Sequence, residues 1–265
     1  MSIGMSRLGL RIATGAVIVF LYLPIAIIAL YAFDASRVQV WPIAVYTTSW
    51  FGVAFQNQDM IDAFSLSIRI GLAATTVAIV LGTLAALAIH RFSFFGRSSI
   101  SFLFVLPIAL PGIVTGMALN ATINATGIGF NAFTIAVGHA TFCIVVAYNN
   151  VIARLRRSSR SIEEASMDLG ASTFQTFRYV TFPAVRTAIV AGGLLAFALS
   201  FDEVVVTIFT AGTDQTLPIW IYNTLFRASQ RPIVNVVALL VIVVSIVPVY
   251  LAQRLTSGGE PDGRS

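Results

Sequence analysis

The sequence predicts an all-α integral membrane protein with six transmembrane helices, and three observations carry that fold class. Only 10% of the 265 residues are charged, whereas a soluble domain carries about 25%; so few charges cannot cover a water-facing surface of this size. Apolar runs recur along the chain, each near the roughly 20 residues a helix needs to cross a hydrocarbon core of about 30 Å. Between them lies one long polar interruption, residues 154–185 (RLRRSSRSIEEASMDLGASTFQTFRYVTFPAV), where charge, turn residues and helix signals are concentrated. The sole cysteine, Cys143, lies inside an apolar run, so disulfide, Cys-rich metal and paired-thiol redox readings have no support.

Residues 1–11 read as a short cytoplasmic N-terminus with Arg7 and Arg11, followed by the first span, 12–33. A cleaved signal peptide would have an apolar core of about 7–15 residues and a small-residue cleavage site; this run is longer and ends in aromatics, so it reads as an uncleaved span. Pro24 removes one helix hydrogen bond within it. Residues 34–64 form an extramembrane loop with a short interfacial helix, because Trp41, Tyr46, Trp50 and Phe51 suit the headgroup level. That loop can dock a partner or do nothing more than connect spans.

The second span covers about residues 65–89, where Gly71, Gly82 and many alanines permit close helix packing. His90 reads as interfacial; with His139 as the only other histidine and no carboxylate beside the pair, a metal site is poorly supported. The third span, about 99–123, contains Pro107, Pro111, Gly112 and Gly116. Breaks in the membrane interval are tolerated only where freed carbonyls face protein or water, so this span is either structurally kinked or bent along a translocation path. The fourth span is about 132–152. The fifth, about 184–209, carries Gly192, Gly193, Ser200 and the acidic pair Asp202–Glu203. TLPIWIYNTLF then reads as a short re-entrant or surface helix, and the sixth span is 233–252. The transmembrane domain therefore covers residues 12–254, with a disordered cytoplasmic tail at 255–265, whose composition is polar and rich in glycine.

Six spans put both termini on one side. All 16 basic residues are arginines, and all but Arg37, Arg69, Arg227 and Arg231 fall on that same side. The positive-inside rule makes it the cytoplasm, which accounts for the net charge of +5 without nucleic acid. Anionic lipid is the partner those arginines fit.

Within the polar interruption, Ser161 and Glu164 have the spacing of a capping box, and Ser172 and Gln175 repeat it. Glu163 and Glu164 lie in a first turn, where the helix dipole favours negative charge. Ile162, Ala165 and Leu169 share one face, and Gly170 can end the helix in the left-handed region. The expectation is two short helices joined at Gly170. A short helix with few contacts is marginal alone, so something packs against it.

These residues also carry a family resemblance. Glu164-Ala165-Ser166, Gly170 and the Phe182-Pro183 end resemble the cytoplasmic EAA loop of bacterial ABC-importer permeases, with Ser166 in place of the second alanine and Phe182 in place of leucine. EEASMDLGAS, LPIALPGIVTG (106–116) and SFDEVVVTIFTAG (200–212) are similar to the permeases for spermidine and putrescine. The resemblance implies a MetI-like fold, a sister permease, two ATP-binding subunits beneath the pair and a periplasmic substrate-binding protein, in a bacterial inner membrane. It implies coupling positions at Glu163, Glu164, Ala165, Asp168 and Gly170. With no Lys in the chain, a phosphate loop cannot be completed; no cofactor is expected here, and ATP with its Mg belongs to the partner subunits.

Asp202 and Glu203, with Pro107 and Pro111, are the candidate substrate path, because a carboxylate within hydrocarbon is costly and usually faces a cavity. The pair would attract a polyamine cation, or one carboxylate would pair with Arg227 or a sister-subunit arginine. Trp220 and Tyr222 can offer cation–π surfaces or anchor at the interface. Iron or thiamine importers have related permeases. Outside the importer class, a secondary transporter or channel would have a loop with no energetic partner, and an assembly protein would carry no solute.

Overall fold

The computed structural model describes residues 2–257 and is helical throughout, with a single isolated antiparallel bridge between Asp34 and Tyr46 among the described residues. In chain order the helices are α1 (Ser2–Tyr31), α2 (Ser49–Phe55), α3 (Gln58–Arg91), α4 (Arg97–Ala109), α5 (Gly112–Thr126), α6 (Ala132–Arg157), α7 (Arg160–Asp168), α8 (Thr173–Thr176), α9 (Phe182–Phe201), α10 (Val205–Thr210), α11 (Leu217–Leu225) and α12 (Arg231–Ser257). A π-helical turn, Phe177–Thr181, joins α8 to α9 without a break. The chain packs as two compact units, one taking in the chain up to Ile61 with Trp220–Val244, the other Asp62–Ile219 and the chain from Ser245.

In the first unit, none of the most apolar stretch of α1 is buried. From Ser2 onward the expected N-terminal segment is helical and continuous with the first span in α1. After α1 the Asp34–Tyr46 bridge closes a loop. The Trp50 indole N–H donates to the Asp34 carbonyl at 2.9 Å, and the Phe33 and Phe51 rings meet at 5.3 Å. A short helix, α2, forms within this loop as expected.

The second unit is built on α6, between α3 and α9. A methyl group at Gly82 would lie 2.9 Å from the Ile144 carbonyl oxygen and the Tyr148 nitrogen, so α3 crosses α6 almost backbone to backbone. At Gly192 a methyl would lie 3.4 Å from the Ala147 Cα, which brings α9 onto the same stretch. Small residues at helix crossings serve where lipid supplies no hydrophobic drive for association. Below the crossing, Ala86, Ile89, Tyr148, Val151, Leu155 and Val185 form a closed apolar cluster. Tyr148 stacks on Phe104 at 5.2 Å and its hydroxyl pairs with Ser101 at 2.9 Å, which fixes α4 to α6.

Several boundaries differ from expectation. Among the described residues, four helices are long and apolar enough to cross a membrane: Arg7–Tyr31, Gln58–Arg91, Ala132–Arg157 and Thr173–Phe201. The expected third span is two helices, because Pro111 lacks an N–H and forces Leu110 into an extended conformation (ψ 143°). The expected fifth span likewise stops at Phe201 and resumes at Val205. In the sixth, the apolar part Arg231–Val247 is short. Helix length alone therefore does not reproduce a count of six. α12 runs on to Ser257, past the expected start of the tail at 255; residues 258–265 of that tail lie outside the described residues.

Candidate functional site

The polar interruption and the acidic pair occupy opposite ends of one continuous helix. From Thr173 through the π turn to Phe201 the chain runs 29 residues unbroken, about 44 Å at 1.5 Å per residue. Pro183 falls inside this run, and the π turn beside it is where the ladder adjusts, with the Phe182 N–H donating to the Phe177 carbonyl.

At the first end, α7 begins at Arg160 with Ser159 as N-cap, and no side-chain hydrogen bond is made at that cap. The expected Ser161–Glu164 capping box is therefore absent. The helix starts two residues earlier than that box requires, and the Ser161 hydroxyl pairs with Ser159 at 2.5 Å. The C-terminal expectation holds. Gly170 adopts φ 89°, its N–H donates to Met167 O at 2.9 Å, and the Ala171 N–H reaches Ser166 O at 3.1 Å, the pairing of a Schellman cap. The Ser172–Gln175 box is present in both directions, at 2.7 and 3.3 Å. This box does not open a second short helix. It opens the long run into α9, because Ser172 caps a helix that nothing interrupts before Asp202.

Two side-chain bonds bolt α7 to that run. The Thr181 hydroxyl donates to Glu163 Oε1 at 2.6 Å, and Ser166 pairs with Thr176 at 3.2 Å. Glu163 is half-buried, whereas Glu164, Ala165 and Asp168 are exposed. Leu169 is 90% exposed, and Ile162 and Phe174 are exposed as well, so the described residues leave these apolar side chains uncovered. At the base, the Arg154 guanidinium donates to the Ala184 carbonyl at 3.0 Å and ties α6 to the start of α9.

At the far end, Asp202, Glu203 and Val204 separate α9 from α10. Asp202 is exposed. Glu203 is half-buried and its Oε1 accepts the Val206 N–H at 2.9 Å, so one carboxylate oxygen caps the new helix. The six residues of α10 are held by polar side chains from two other helices. Asn120 Nδ2 donates to Phe209 O at 2.7 Å, the Thr134 hydroxyl donates to Thr210 O at 2.8 Å, and His139 reaches both Ser200 and Thr207 at 2.8 Å. The two helix breaks also meet. A methyl group on Gly112, next to Pro111, would contact Val205 at 3.5 Å, and one on Gly116 would collide with the Phe209 ring at 2.5 Å. Pro107 stays inside α4, one turn before that break.

Asn120, Thr134, Ser200 and Thr207 are not marked as a set by their sequence positions, and His139 stands out in sequence only as half of a weak metal pair. Their partners are 61 to 89 residues away, a separation no local pattern carries. Trp220 is buried, and Tyr222 packs edge-on against Phe226 at 5.5 Å.

Residues 78–257 match the family model described as "binding-protein-dependent transport system inner membrane component". The chain belongs to that family. Among named relatives, this permease is 36% identical over 248 residues to the putrescine transport system permease protein PotI of Escherichia coli K12, covering 89% of this chain and 87% of that one. It is 32% identical over 255 residues to the spermidine/putrescine transport system permease protein PotC of Haemophilus influenzae, covering 95% and 98%. Among solved structures, a bacterial ABC transporter involved in import of the acidic polysaccharide alginate matches with a TM-score of 0.72 over 97% of both chains at 16% identity. The fold is that of ABC-importer permeases.

Proposed function

We propose that this permease is one of two sister subunits that form the translocation path of a bacterial inner-membrane importer for polyamines such as putrescine and spermidine. Its relatives are named for those substrates. The acidic pair at a helix break supports the same class: at an effective dielectric of about 20, an ammonium about 4 Å from a carboxylate gains about 4 kcal/mol. Six crossings follow if α4 with α5, and α12, complete the four long helices. Both termini and the 154–185 loop then lie in the cytoplasm, where the arginines face anionic lipid.

In this reading two ATP-binding subunits dock on Ile162, Leu169 and Phe174, with Glu163, Glu164, Ala165, Asp168 and Gly170 as the coupling positions. The partners hold ATP and Mg; this chain binds no cofactor and performs no hydrolysis. A periplasmic binding protein delivers substrate toward Asp202, Glu203 and the break at Pro111, with Pro107 on the same path. The single observation that carries the mechanism is the continuous helix from Thr173 to Phe201, which joins the bolted α7 to the acidic break. The test is uptake of labelled putrescine by proteoliposomes holding both permeases, the ATPases and the binding protein. ATP-dependent uptake supports the assignment; uptake undiminished without ATP, or a binding protein that takes iron and no polyamine, overturns it.

A further inference from the structure

The gap between α9 and α10 leaves Glu203 and Asp202 on a segment without a continuous helical ladder. Three backbone positions carry it, and a segment that short would adopt many conformations unless something fixed both of its ends. One side chain does so. His139, buried on α6, contacts the last turn of α9 through Nδ1 and Ser200 Oγ, and the first turn of α10 through Nε2 and Thr207 Oγ1, both at 2.8 Å.

The direction of these bonds depends on the ring tautomer, which we assign from the Glu203 carbonyl. The Thr207 hydroxyl donates to the Glu203 carbonyl at 2.8 Å, so its oxygen accepts from His139, and Nε2 is the nitrogen that carries a hydrogen. In the neutral ring Nδ1 then accepts from the Ser200 hydroxyl. The chain of bonds runs Ser200, His139, Thr207, Glu203 carbonyl, and closes across the break. Gly138, the preceding residue, lets α10 approach: a methyl there would lie 3.1 Å from Val206 and 3.3 Å from Thr210.

We propose that His139 is a positioning residue that spans the α9–α10 break from α6 and sets where the Asp202–Glu203 carboxylates face the translocation path. It does not touch substrate. The proposal rests on those carboxylates lining the path. Because His139 stands on α6, which is packed along α9, a movement of α9 that opened the Ser200 or Thr207 bond would re-aim both carboxylates at once.

The experiment uses the whole transporter in proteoliposomes, with putrescine-loaded binding protein, and reads putrescine imported per ATP hydrolysed. His139→Phe fills the same space without hydrogen bonds, and Thr207→Val removes the Nε2 acceptor at nearly constant shape. Each should lower that ratio by about fivefold or more, while hydrolysis stimulated by the loaded binding protein stays within about twofold of the parent. His139→Gln, whose amide offers an acceptor and a donor side by side, should recover at least half of the ratio. A parental ratio in both the Phe and Val variants, a Phe variant that equals or exceeds the Gln variant, or hydrolysis falling in step with uptake in Thr207→Val would each overturn the proposal. If His139→Phe does not reach the membrane, Thr207→Val decides by the same criteria. Asp202→Asn with Glu203→Gln separates the two levels: parental import there refutes the path assignment itself, whereas impaired import there with parental import in Thr207→Val refutes the positioning role alone.

Discussion

The two ends of the long helix that contains α9 are built from different materials. At the α7 end the bonds are short in sequence: a Schellman cap at Gly170, a capping box between Ser172 and Gln175, and links of 10 and 18 residues from Ser166 to Thr176 and from Glu163 to Thr181. Its outer face is left exposed, with Leu169, Ile162 and Phe174 uncovered. At the α10 end the local bonds are the Glu203 cap and the Thr207 and Thr210 hydroxyls, which donate to carbonyls four residues back. Side chains of α5 and α6 supply the rest, and Thr207 and Thr210 are fully buried. In the proposed reading one end is a self-sufficient handle for a partner, and the other is a fixed point assembled by the fold. A helix about 44 Å long between a handle and a fixed point suits transmission of a push.

Four variants sharpen or break that contrast. The largest effect belongs to Asp202→Asn combined with Glu203→Gln, which removes both charges at the fixed end. Putrescine uptake should fall about a hundredfold, consistent with losing two charge-assisted contacts, while the protein still inserts; near-normal uptake in vesicles would remove the fixed end from the path. Next is Gly170→Val. A β-branched residue at φ 89° is strained by roughly 1–2 kcal/mol, so the cap should open, and ATP-driven uptake should drop about tenfold with unchanged membrane levels by immunoblot.

Glu163→Gln weakens the half-buried bolt to Thr181 without removing its bulk. Loss of a charge-assisted bond suggests about a fivefold fall in coupling efficiency, read as imported substrate per ATP; no change would mean the Ser166–Thr176 pair suffices. Ser172→Ala comes last. A lost N-cap costs about 1 kcal/mol in a helix that its tertiary packing already holds, so uptake should change by about twofold or less, and a collapse would show that α8 stands alone.

The same contrast explains which features are legible in the sequence. Gly170, the Ser172–Gln175 box and the start of α6 at Asn131 are legible because each rests on residues two to four positions apart; at Asn131 the side chain accepts from Phe133 and Thr134 N–H groups, and Thr134 returns the bond. Ser161–Glu164 shows the limit of such spacing, since a helix that starts two residues earlier takes Ser161 out of the cap position. The Pro111 break is visible as proline and glycine, yet its meeting with the acidic break is not, because Gly112 and Val205 are brought together only by the packing of α5 against α10. His139 is hidden for the same reason: a histidine without nearby acids in sequence looks unemployed, while its two hydroxyl partners lie more than 60 residues downstream.

The most direct test measures ATP hydrolysis and putrescine uptake on the same proteoliposomes for the two ends in parallel. If α7 is the handle and the acidic break the fixed point, Gly170→Val lowers stimulated hydrolysis and uptake together. Asp202→Asn with Glu203→Gln keeps stimulated hydrolysis within about twofold and loses uptake, because Asp202 is exposed and a glutamine at 203 keeps an oxygen for the Val206 N–H. Identical responses at the two ends would contradict the account.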